Sequence, residues 1–374
     1  MLLNSLAISG AIATAASALL TNVTIFTPPS NYTIPRTLYA RTLLLSQEND
    51  TESTPQLLAT WENYGPNNNT NPYFPIYQSF DLGATWSERS RVYDQVNGWG
   101  LRYQPFLYEL PEDFACFKKG TVLLAGNSIP QDLSQTQIDV YASEDQGTTW
   151  KFVSHVARGG EALPDNGLSP VWEPFLLMYE GQLVIYYSDQ RDPAYGQKLV
   201  HQVTSDLVTW GPVVDDVAYS TYDDRPGMTT VSALPNGQWI ITYEFYGAPE
   251  AAFAVYYRLS DSPLTFNNAT GYVIEATDGT IPVSSPYNVW TPSDSKNGSI
   301  VVSCGTLSTV FINHDLAAPG SPWVEYATPE GTSYTRSLLV LPDPDQILIT
   351  GGGVLSGTDN RVTTSSIDIT AAGE

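Results

Sequence analysis

Short apolar runs recur along the whole chain, and this repeat constrains the fold more than any other feature of the sequence. They begin at Leu57, Val122, Leu183, Trp239, Ile300 and Ile347. Each is preceded by a second apolar segment: RTLLL, QPFLYEL, EPFLLMY, MTTVSAL, PYNVWTP and RSLLVLP, in that order. A short apolar run bounded by turn signals is typical of a buried β-strand. The sequence therefore predicts six consecutive β-hairpins.

A second repeat runs in phase with the first. The segments Ser79–Trp86 and Ser143–Trp150 both read S-x-D-x-G-x-T-W, the Asp-box pattern, and degenerate copies end at Trp210, Phe266 and Trp323. In this turn the aspartate bonds local backbone and the glycine takes a positive φ. Each repeat then reads as strands A, B and C, an Asp-box turn and strand D. Six such sheets arranged radially predict an all-β, six-bladed β-propeller.

One domain should span residues 19–374, because no single blade can bury both of its faces. The last repeat is short, so either the N-terminal TNVTIF or the C-terminal SSIDIT should complete its blade and close the ring. Residues 1–18 contain a small, apolar run that ends in Ala16-Ser17-Ala18. This pattern predicts a signal peptide and secretion, although the positive n-region is missing. Six N-x-[ST] sequons favour the same conclusion: Asn22, Asn31, Asn49, Asn68, Asn268 and Asn297.

The balance of charge limits the partners. Lysine and arginine number 16 and aspartate and glutamate 39, which gives a net charge of −23. Such a chain repels phosphate backbones and anionic membrane surfaces, whereas a neutral polysaccharide is compatible with it. The three histidines are scattered without metal-ligand spacing, and no G-x-S-x-G or phosphate-binding glycine loop occurs. We expect a monomer without a cofactor. The acidic loops do not rule out a bound structural calcium ion.

The two cysteines do not predict a disulfide. Cys116 lies in an A–B connection and Cys304 ends a B strand in another blade. Opposite faces of different blades are too far apart for the roughly 4.4–6.8 Å between Cα atoms that a disulfide needs. We expect two free, buried thiols.

Antiparallel order brings the start of each A strand and the end of each B strand to one face, near the axis. Asp boxes, which join C to D, lie on the other face and are assigned no catalysis. Four carboxylates occupy the converging positions: Glu62, Glu173, Asp189 and Glu244. Arginines and tyrosines share these positions: Arg36, Arg41, Arg102, Arg191, Arg225, Tyr287, Tyr334 and Arg336.

Two carboxylates that face one substrate can divide the work of glycoside hydrolysis, one as an acid and one as a nucleophile or base. Glu173 stands between Trp172 and Pro174, and Glu244 stands between Tyr243 and Phe245. Aromatic neighbours can desolvate a carboxyl and raise its pKa. The alternative is that each glutamate pairs with an arginine of the pocket. The candidate substrate contacts are Arg41, Glu62, Trp99, Arg102, Asp189, Arg191 and Tyr334.

Long motifs resemble a known family. VNGWGLRYQPFLYELP, SPVWEPFLL, YYSDQRDPAYGQKLVHQ, DDRPGMTTVSALPNGQWIITYEF and FAVYYR are similar to segments of fungal exo-arabinanases. The resemblance covers roughly Tyr39 to Arg336. It implies a retaining glycoside hydrolase that releases arabinobiose from linear α-1,5-L-arabinan. Its two catalytic glutamates map onto VWEPF and TYEF, hence Glu173 and Glu244; we prefer Glu173 as acid/base and Glu244 as nucleophile, and the reverse assignment stays open. A retaining enzyme should hold the two carboxyls about 5–5.5 Å apart.

Two other functions fit a propeller of this kind. A sialidase would use a tyrosine nucleophile, such as Tyr334, and three arginines that grip a carboxylate. The segment YTIPRT departs from the sialidase Y-R-I-P start, and a sialidase leaves the long motifs unexplained. A lectin would bind sugar through the same aromatic residues without cleaving it.

Overall fold

The computed structural model describes residues 19–46, 54–66, 71–293 and 295–370. The predicted signal peptide, residues 1–18, lies outside this part of the chain, as do the sequons at Asn49 and Asn68. Within the described residues, no helix is long and apolar enough to span a bilayer.

Six four-stranded antiparallel sheets make up the structure, which confirms the predicted six-bladed β-propeller. In the first three blades the strands, from A to D, are β2 (Thr37–Leu44), β3 (Leu57–Asn63), β4 (Tyr73–Ser79), β5 (Ser87–Tyr93); β6 (Leu101–Glu109), β7 (Val122–Ser128), β8 (Thr136–Ser143), β9 (Lys151–Gly159); β10 (Val171–Tyr179), β11 (Gln182–Asp189), β12 (Lys198–Thr204), β13 (Val214–Val217). In the other three they are β14 (Arg225–Ala233), β15 (Trp239–Tyr246), β16 (Ala254–Ser260), β17 (Tyr272–Val273); β18 (Tyr287–Thr291), β19 (Ser299–Ser303), β20 (Thr309–Asn313), β21 (Val324–Ala327); β22 (Arg336–Val340), β23 (Gln346–Gly351), β24 (Val362–Asp368), β1 (Val23–Phe26).

The inner strands are buried on both faces because each blade is packed between two others. All seven residues of β3 are buried, and so are all five of β19. Apolar residues therefore run almost continuously through the B strands, which is why the repeat is visible in the sequence. The six A strands contact one another around the axis. The pocket face is thus the face on which A strands begin and B strands end.

Both ends of the described chain close the ring. β24 follows β23 in the sixth blade, and β1 pairs with the free side of β24. The Leu20 amide donates to the Ser366 hydroxyl at 2.8 Å, and the Asn22 amide donates to the Ser365 hydroxyl at 2.9 Å. The two candidate segments therefore complete the last blade together.

The Asp-box turns lie between C and D strands, on the face opposite the pocket. In the first, the Asp81 carboxylate accepts hydrogen bonds from the Thr85 amide at 2.8 Å and the Ser79 hydroxyl at 2.7 Å. Gly83 has a φ of 97°, and its carbonyl accepts the Trp86 indole N–H. These bonds stay within the turn and serve its structure.

The two cysteines are free, as expected, and Cys304 is buried. The prediction that Cys116 is buried is wrong. Phe114 and Phe117 pair backbone to backbone and bury their rings, so the two residues between them, Ala115 and Cys116, turn outward.

Candidate active site

The pocket face is lined by a backbone feature that four blades repeat. A β-bulge interrupts each of the first four A strands near its start. The bulges carry non-glycine residues at positive φ: Tyr39 at 52°, Gln104 at 60°, Glu173 at 63° and Met228 at 59°. Such left-handed backbone is unfavourable for bulky residues and persists only where the surroundings fix it. It turns the amide of each residue toward the preceding blade.

These four amides, together with the Ser285 amide before the fifth blade, link neighbouring blades through a series of hydrogen bonds, which we call the axial chain. In four of its bonds a backbone N–H donates to a side-chain oxygen of the preceding blade. The pairs are Gln104 N and Glu62 Oε1 (2.9 Å), Glu173 N and Gln104 Oε1 (3.0 Å), Met228 N and Glu173 Oε2 (2.9 Å), and Ser285 N and Glu244 Oε2 (2.8 Å). In the first blade the Tyr39 amide donates to the Tyr334 carbonyl at 2.7 Å. Buried polar groups are costly unless hydrogen-bonded, so the axial chain stabilises glutamates at the axis.

Glu173 is the buried carboxylate at the start of the third blade. Besides the Met228 amide, its Oε2 accepts the Ser188 hydroxyl of the adjacent strand at 2.7 Å. Burial raises the pKa of Glu173 above its usual range. The two hydrogen bonds and the charges of Arg41 and Arg225 oppose that shift without cancelling it.

Glu244 lies next to Glu173 across strand β14. Gly227 of β14 is the ladder partner of Glu244, and Met228, the next residue, binds Glu173. Glu244 Oε2 accepts the Ser285 amide at 2.8 Å and the Ser284 hydroxyl at 3.2 Å. Burial, and then the negative charge of Glu173, raise the pKa of Glu244 to about 7. The charge of Glu173 therefore affects the protonation of Glu244.

The third glutamate, Glu62, also faces the axis. It accepts the Tyr64 hydroxyl at 2.7 Å and the Gln104 amide at 2.9 Å, and burial raises its pKa to about 7. Arg41 lies nearby, with its guanidinium over the Tyr39 ring at 4.0 Å and hydrogen-bonded to the Thr335 hydroxyl. Its charge favours the ionised form of Glu62 and of Glu173.

Tyr334 completes this group on the side of the sixth blade. Burial raises the pKa of its phenol well above 10, and the charges of Glu173, Glu244 and Glu62 raise it further. Tyr334 is therefore a neutral phenol that can donate a hydrogen bond into the pocket.

The remaining candidates are engaged elsewhere. Arg191 makes a two-point ion pair with Asp189, with N–O distances of 2.6 and 2.9 Å. The two charges therefore neutralise each other. The Arg102 Nε donates to the Ile129 carbonyl at 2.7 Å. Trp99 lies in the connection before β6, where Asp94 binds its amide at 2.8 Å and Arg158 lies over its ring.

Two arginines that a sialidase would need are also engaged outside the group of three glutamates. Arg36 pairs with the exposed Asp359 at 3.3 Å. Arg336 is fully buried, and its Nε donates to the Cys304 carbonyl at 3.1 Å.

Several residues that hold the glutamates were not among the predicted contacts. Ser188, Ser284 and Ser285 each bind a glutamate, as does the backbone of Met228. Ser188 lies one residue before Asp189 at a B-strand end, so position alone could have indicated it. Ser284 and Ser285 precede the poorest of the six apolar segments, where the repeat gives no register.

Among the described residues, no three His, Cys, Asp or Glu side chains are grouped so that they could hold a metal ion. What the site offers instead is a pair of coupled, buried carboxyls. Such a pair can combine one protonated and one ionised carboxyl.

Solved structures similar to this chain include two fungal enzymes. An α-L-arabinofuranosidase from Fusarium graminearum with an iminosugar inhibitor is 52% identical, with a TM-score of 0.92 over 96% of this chain and 100% of that one. The same GH93 enzyme with arabinobiose is 52% identical, with a TM-score of 0.91 over 95% and 99%. An α-L-arabinanase from Penicillium chrysogenum, also with arabinobiose, is 54% identical, with a TM-score of 0.90 over 95% and 100%.

A more distant likeness concerns the fold alone. A Hadza microbial sialidase is 12% identical, with a TM-score of 0.60 over 94% of this chain and 69% of that one. No family model matches the chain, and a search of curated proteins found no match.

Proposed function

Since the chain belongs to family 93 of the glycoside hydrolases, a family with α-L-arabinofuranosidase and arabinanase members, we propose that it cleaves linear α-1,5-L-arabinan from the chain end and releases arabinobiose. Arabinobiose is the ligand of two of the related structures, which supports this substrate. The chain is thus a glycoside hydrolase, as the resemblance of its motifs implied.

The observation that carries the mechanism is the coupled pair Glu173 and Glu244. A retaining glycosidase needs one protonated and one ionised carboxyl in the same site. Glu173 donates its proton to the glycosidic oxygen as the bond to the leaving sugar breaks, and Glu244 attacks the anomeric carbon. Glu173 then takes a proton from water, and the hydroxide displaces Glu244 and restores the free enzyme. Both groups return to their starting state.

The hydrogen bonds treat the two glutamates alike, and the assignment of the two roles follows the resemblance of the VWEPF and TYEF motifs. In both glutamates the described donors bind Oε2, and no described donor binds Oε1. The carboxyl groups are thus held in place through one oxygen, while the other stays available for the substrate. Tyr334 and Arg41 lie beside the pair, and we assign them contacts to sugar hydroxyls. The predicted separation of about 5–5.5 Å between the two carboxyls stays a prediction for a bound complex.

A tyrosine nucleophile is less well supported than Glu244. Tyr334 would have to ionise close to three glutamates, and its pKa is raised well above 10. Arg36 and Arg336, which a sialidase would need, are engaged outside the glutamate group.

We further propose that the enzyme is secreted and acts as a monomer. The pattern of residues 1–18 and the sequons support secretion. The charge of −23 favours a soluble, self-repelling molecule and leaves a neutral polysaccharide as its partner.

The test is incubation with debranched arabinan and analysis of the products. We expect arabinobiose from the parent enzyme and a loss of about 10³-fold or more in kcat for Glu173→Gln and for Glu244→Gln. Glu330→Gln is the matched control, because Glu330 is buried and hydrogen-bonded to Ser365 in the sixth blade, away from the pair. Full activity in both pocket variants would remove the assignment. Binding of arabinan without any product would indicate a lectin.

Azide separates the two roles. In Glu173→Ala, azide can attack the glycosyl-enzyme and give a product of retained configuration. In Glu244→Ala, it takes the place of the nucleophile and gives the inverted product. The opposite pattern would exchange the roles of the two glutamates.

A further inference from the structure

A pair of exposed aromatic rings lies on the pocket face, at the end of β15 and just before β16. Tyr246 is 44% exposed and Phe253 is 39% exposed, and their ring centroids are 4.9 Å apart with an interplanar angle of 39°. Single exposed apolar residues are normal on a protein surface, but neighbouring ones indicate a binding surface.

The pair is continuous with the active site. Tyr246 is the last residue of β15, two residues beyond Glu244, so both start from the same face of the strand. Phe253 immediately precedes β16 on the B–C connection of the same blade. Its carbonyl accepts the Ser284 amide at 2.8 Å, and the Ser284 hydroxyl binds Glu244. The rings are thus fixed to the group that holds the nucleophile.

The backbone of the connection between β15 and β16 holds the Phe253 ring in an exposed position. Phe253 has a φ of 63°, a conformation that costs a bulky residue of order 1–3 kcal/mol. The connection begins at Gly247, with a φ of 116°, where a Cβ would lie 2.3 Å from the Asp224 carboxylate. Glu250, in the middle, accepts the Tyr256 hydroxyl at 2.6 Å. A strained backbone held from several sides, with its aromatic ring in solvent, indicates a function for that ring.

We propose that Tyr246 and Phe253 form a stacking platform for the part of the arabinan chain that lies beyond the cleaved disaccharide; this rests on the proposed function. An enzyme that removes two sugars from a chain end must leave the remaining polymer outside its pocket. The exposed rings lie where β15 ends on the pocket face, and Ser284 links Phe253 to Glu244. A neutral sugar ring stacks on an aromatic face without needing a charge partner.

A second place for the polymer is a cleft of about 390 Å³ between the first and second blades. Its lining includes Tyr64, Arg102 and Tyr103. Tyr64 and Tyr103 are less exposed than Tyr246 and Phe253, and Tyr64 is already hydrogen-bonded to Glu62. We therefore assign the polymer to the exposed pair and make the cleft an outcome of the test.

The experiment compares kcat/KM on debranched arabinan with kcat/KM on arabinotriose, which reaches little beyond the cleaved bond. We expect the polymer-to-trisaccharide ratio to fall about tenfold in Tyr246→Ala and in Phe253→Ala, mostly through KM for the polymer. Phe80→Ala is the control, because Phe80 is 48% exposed in an Asp-box turn on the opposite face. Phe253→Tyr, which keeps a ring, should preserve the ratio. An unchanged ratio in both alanine variants, or the loss appearing in Tyr103→Ala instead, would overturn the platform.

A binding measurement separates this proposal from the proposed function. In the Glu173→Gln background, which does not turn over, electrophoresis through a gel containing debranched arabinan should retard the enzyme. The two alanine substitutions should abolish the retardation, and Phe80→Ala should not. Retardation that survives them, or none before they are introduced, contradicts the platform whether or not the parent enzyme cleaves arabinan. Equal thermal unfolding temperatures show that the variants are folded.

Discussion

At the scale of single residues, we expect the protonation of Glu173 and Glu244 to set the pH range in which the enzyme works. Burial and the charge of Glu173 raise the pKa of Glu244 to about 7, and burial raises the pKa of Glu173 as well. One proton must stay on the pair for general acid catalysis. We expect kcat/KM on arabinotriose to fall at alkaline pH as the pair loses its last proton, and Glu330→Gln to show the same profile. A rate that keeps rising to pH 9 would contradict a carboxyl acid.

The same coupling makes a prediction about protonation alone. Where Glu173 is ionised, its charge raises the pKa of Glu244, so Glu173→Gln should lower that pKa, while burial keeps it above the ordinary value of 4.5. Carbon-13 NMR of the labelled glutamate carboxyls can follow this titration without turnover. An unchanged titration would mean that the two carboxyls are too far apart to interact.

We expect Gln104 to act through Glu173 rather than on the substrate. Its Oε1 accepts hydrogen bonds from the Glu173 backbone N–H at 3.0 Å and from the Asn127 side-chain amide at 2.9 Å. Its own backbone N–H donates to Glu62. Gln104→Met keeps the length and removes the acceptor, so we expect kcat to fall about tenfold with KM little changed. Gln104→Glu keeps an acceptor and should retain more activity. Its added negative charge should move the basic limb of the pH profile upward. A change in KM alone would place Gln104 in substrate binding.

The candidate residues could be predicted only as far as the repeat fixes their position. Glu62, Glu173 and Glu244 stand at A-strand starts or B-strand ends, and the structure brings them together. Asp189 satisfies the same rule, but Arg191, two residues on, neutralises it. No pattern in a single sequence distinguishes a free carboxylate from one paired with a close neighbour.

At the scale of elements, the Asp-box turns contribute to stability and not to the site. Asp145 accepts bonds from the Thr149 amide at 2.8 Å and the Ser143 hydroxyl at 2.8 Å in the turn between β8 and β9. We expect Asp145→Ala to lower the free energy of unfolding by about 1 kcal/mol. Activity should be unchanged, since the turn lies on the opposite face. Asp132→Ala, which removes an exposed carboxylate bonded only to Ser134, is the control in denaturant unfolding and should cost less. An equal loss of unfolding free energy in Asp145→Ala and Asp132→Ala would show that the Asp-box turn does not add to stability.

The strands were predictable and the bulges were not. Apolar runs predict strands because a propeller buries both faces of its inner strands. A bulge requires one residue in the left-handed region, and glycine is the usual sign of it. Here the positions are filled by Tyr39, Gln104, Glu173 and Met228, whose conformation is imposed by bonds to the preceding blade. This tertiary constraint has no local signal in the sequence.

The whole molecule depends on a ring that closes on itself. β24 has a partner on each side, β23 and β1, so the last blade is assembled from both ends of the described chain. The axial chain links neighbouring blades around the axis. Each glutamate is therefore positioned by a neighbour that is distant in sequence, such as Glu62 by Gln104. This explains why the number of blades could be read from the repeat while the contacts between blades could not.

The stability of the whole ring should be greatest at acidic pH, between about pH 4 and 5. Burial raises the folded-state pKa of Glu62, Glu244 and Asp139 to about 7, and of Asp216 to about 6, whereas their ordinary values are 4.5 for glutamate and 3.8 for aspartate. Between these values the folded state binds more protons than the unfolded state, so the free energy of unfolding falls as pH rises. Repulsion within a chain of net charge −23 acts in the same direction.

Below that range the sign reverses. The hydrogen bonds of Asp145 lower its pKa to about 2 although burial opposes them, so its contribution is lost as pH falls below 3.8. Thermal unfolding from pH 3 to pH 8 should therefore give a maximum near pH 4–5 and a steady decline toward pH 7. Glu62→Gln cannot take up a proton and should flatten that decline, while high salt should reduce only the part due to long-range repulsion. A transition temperature that rises between pH 5 and pH 7 would show that the glutamates at the axis are ionised in the folded enzyme at little cost.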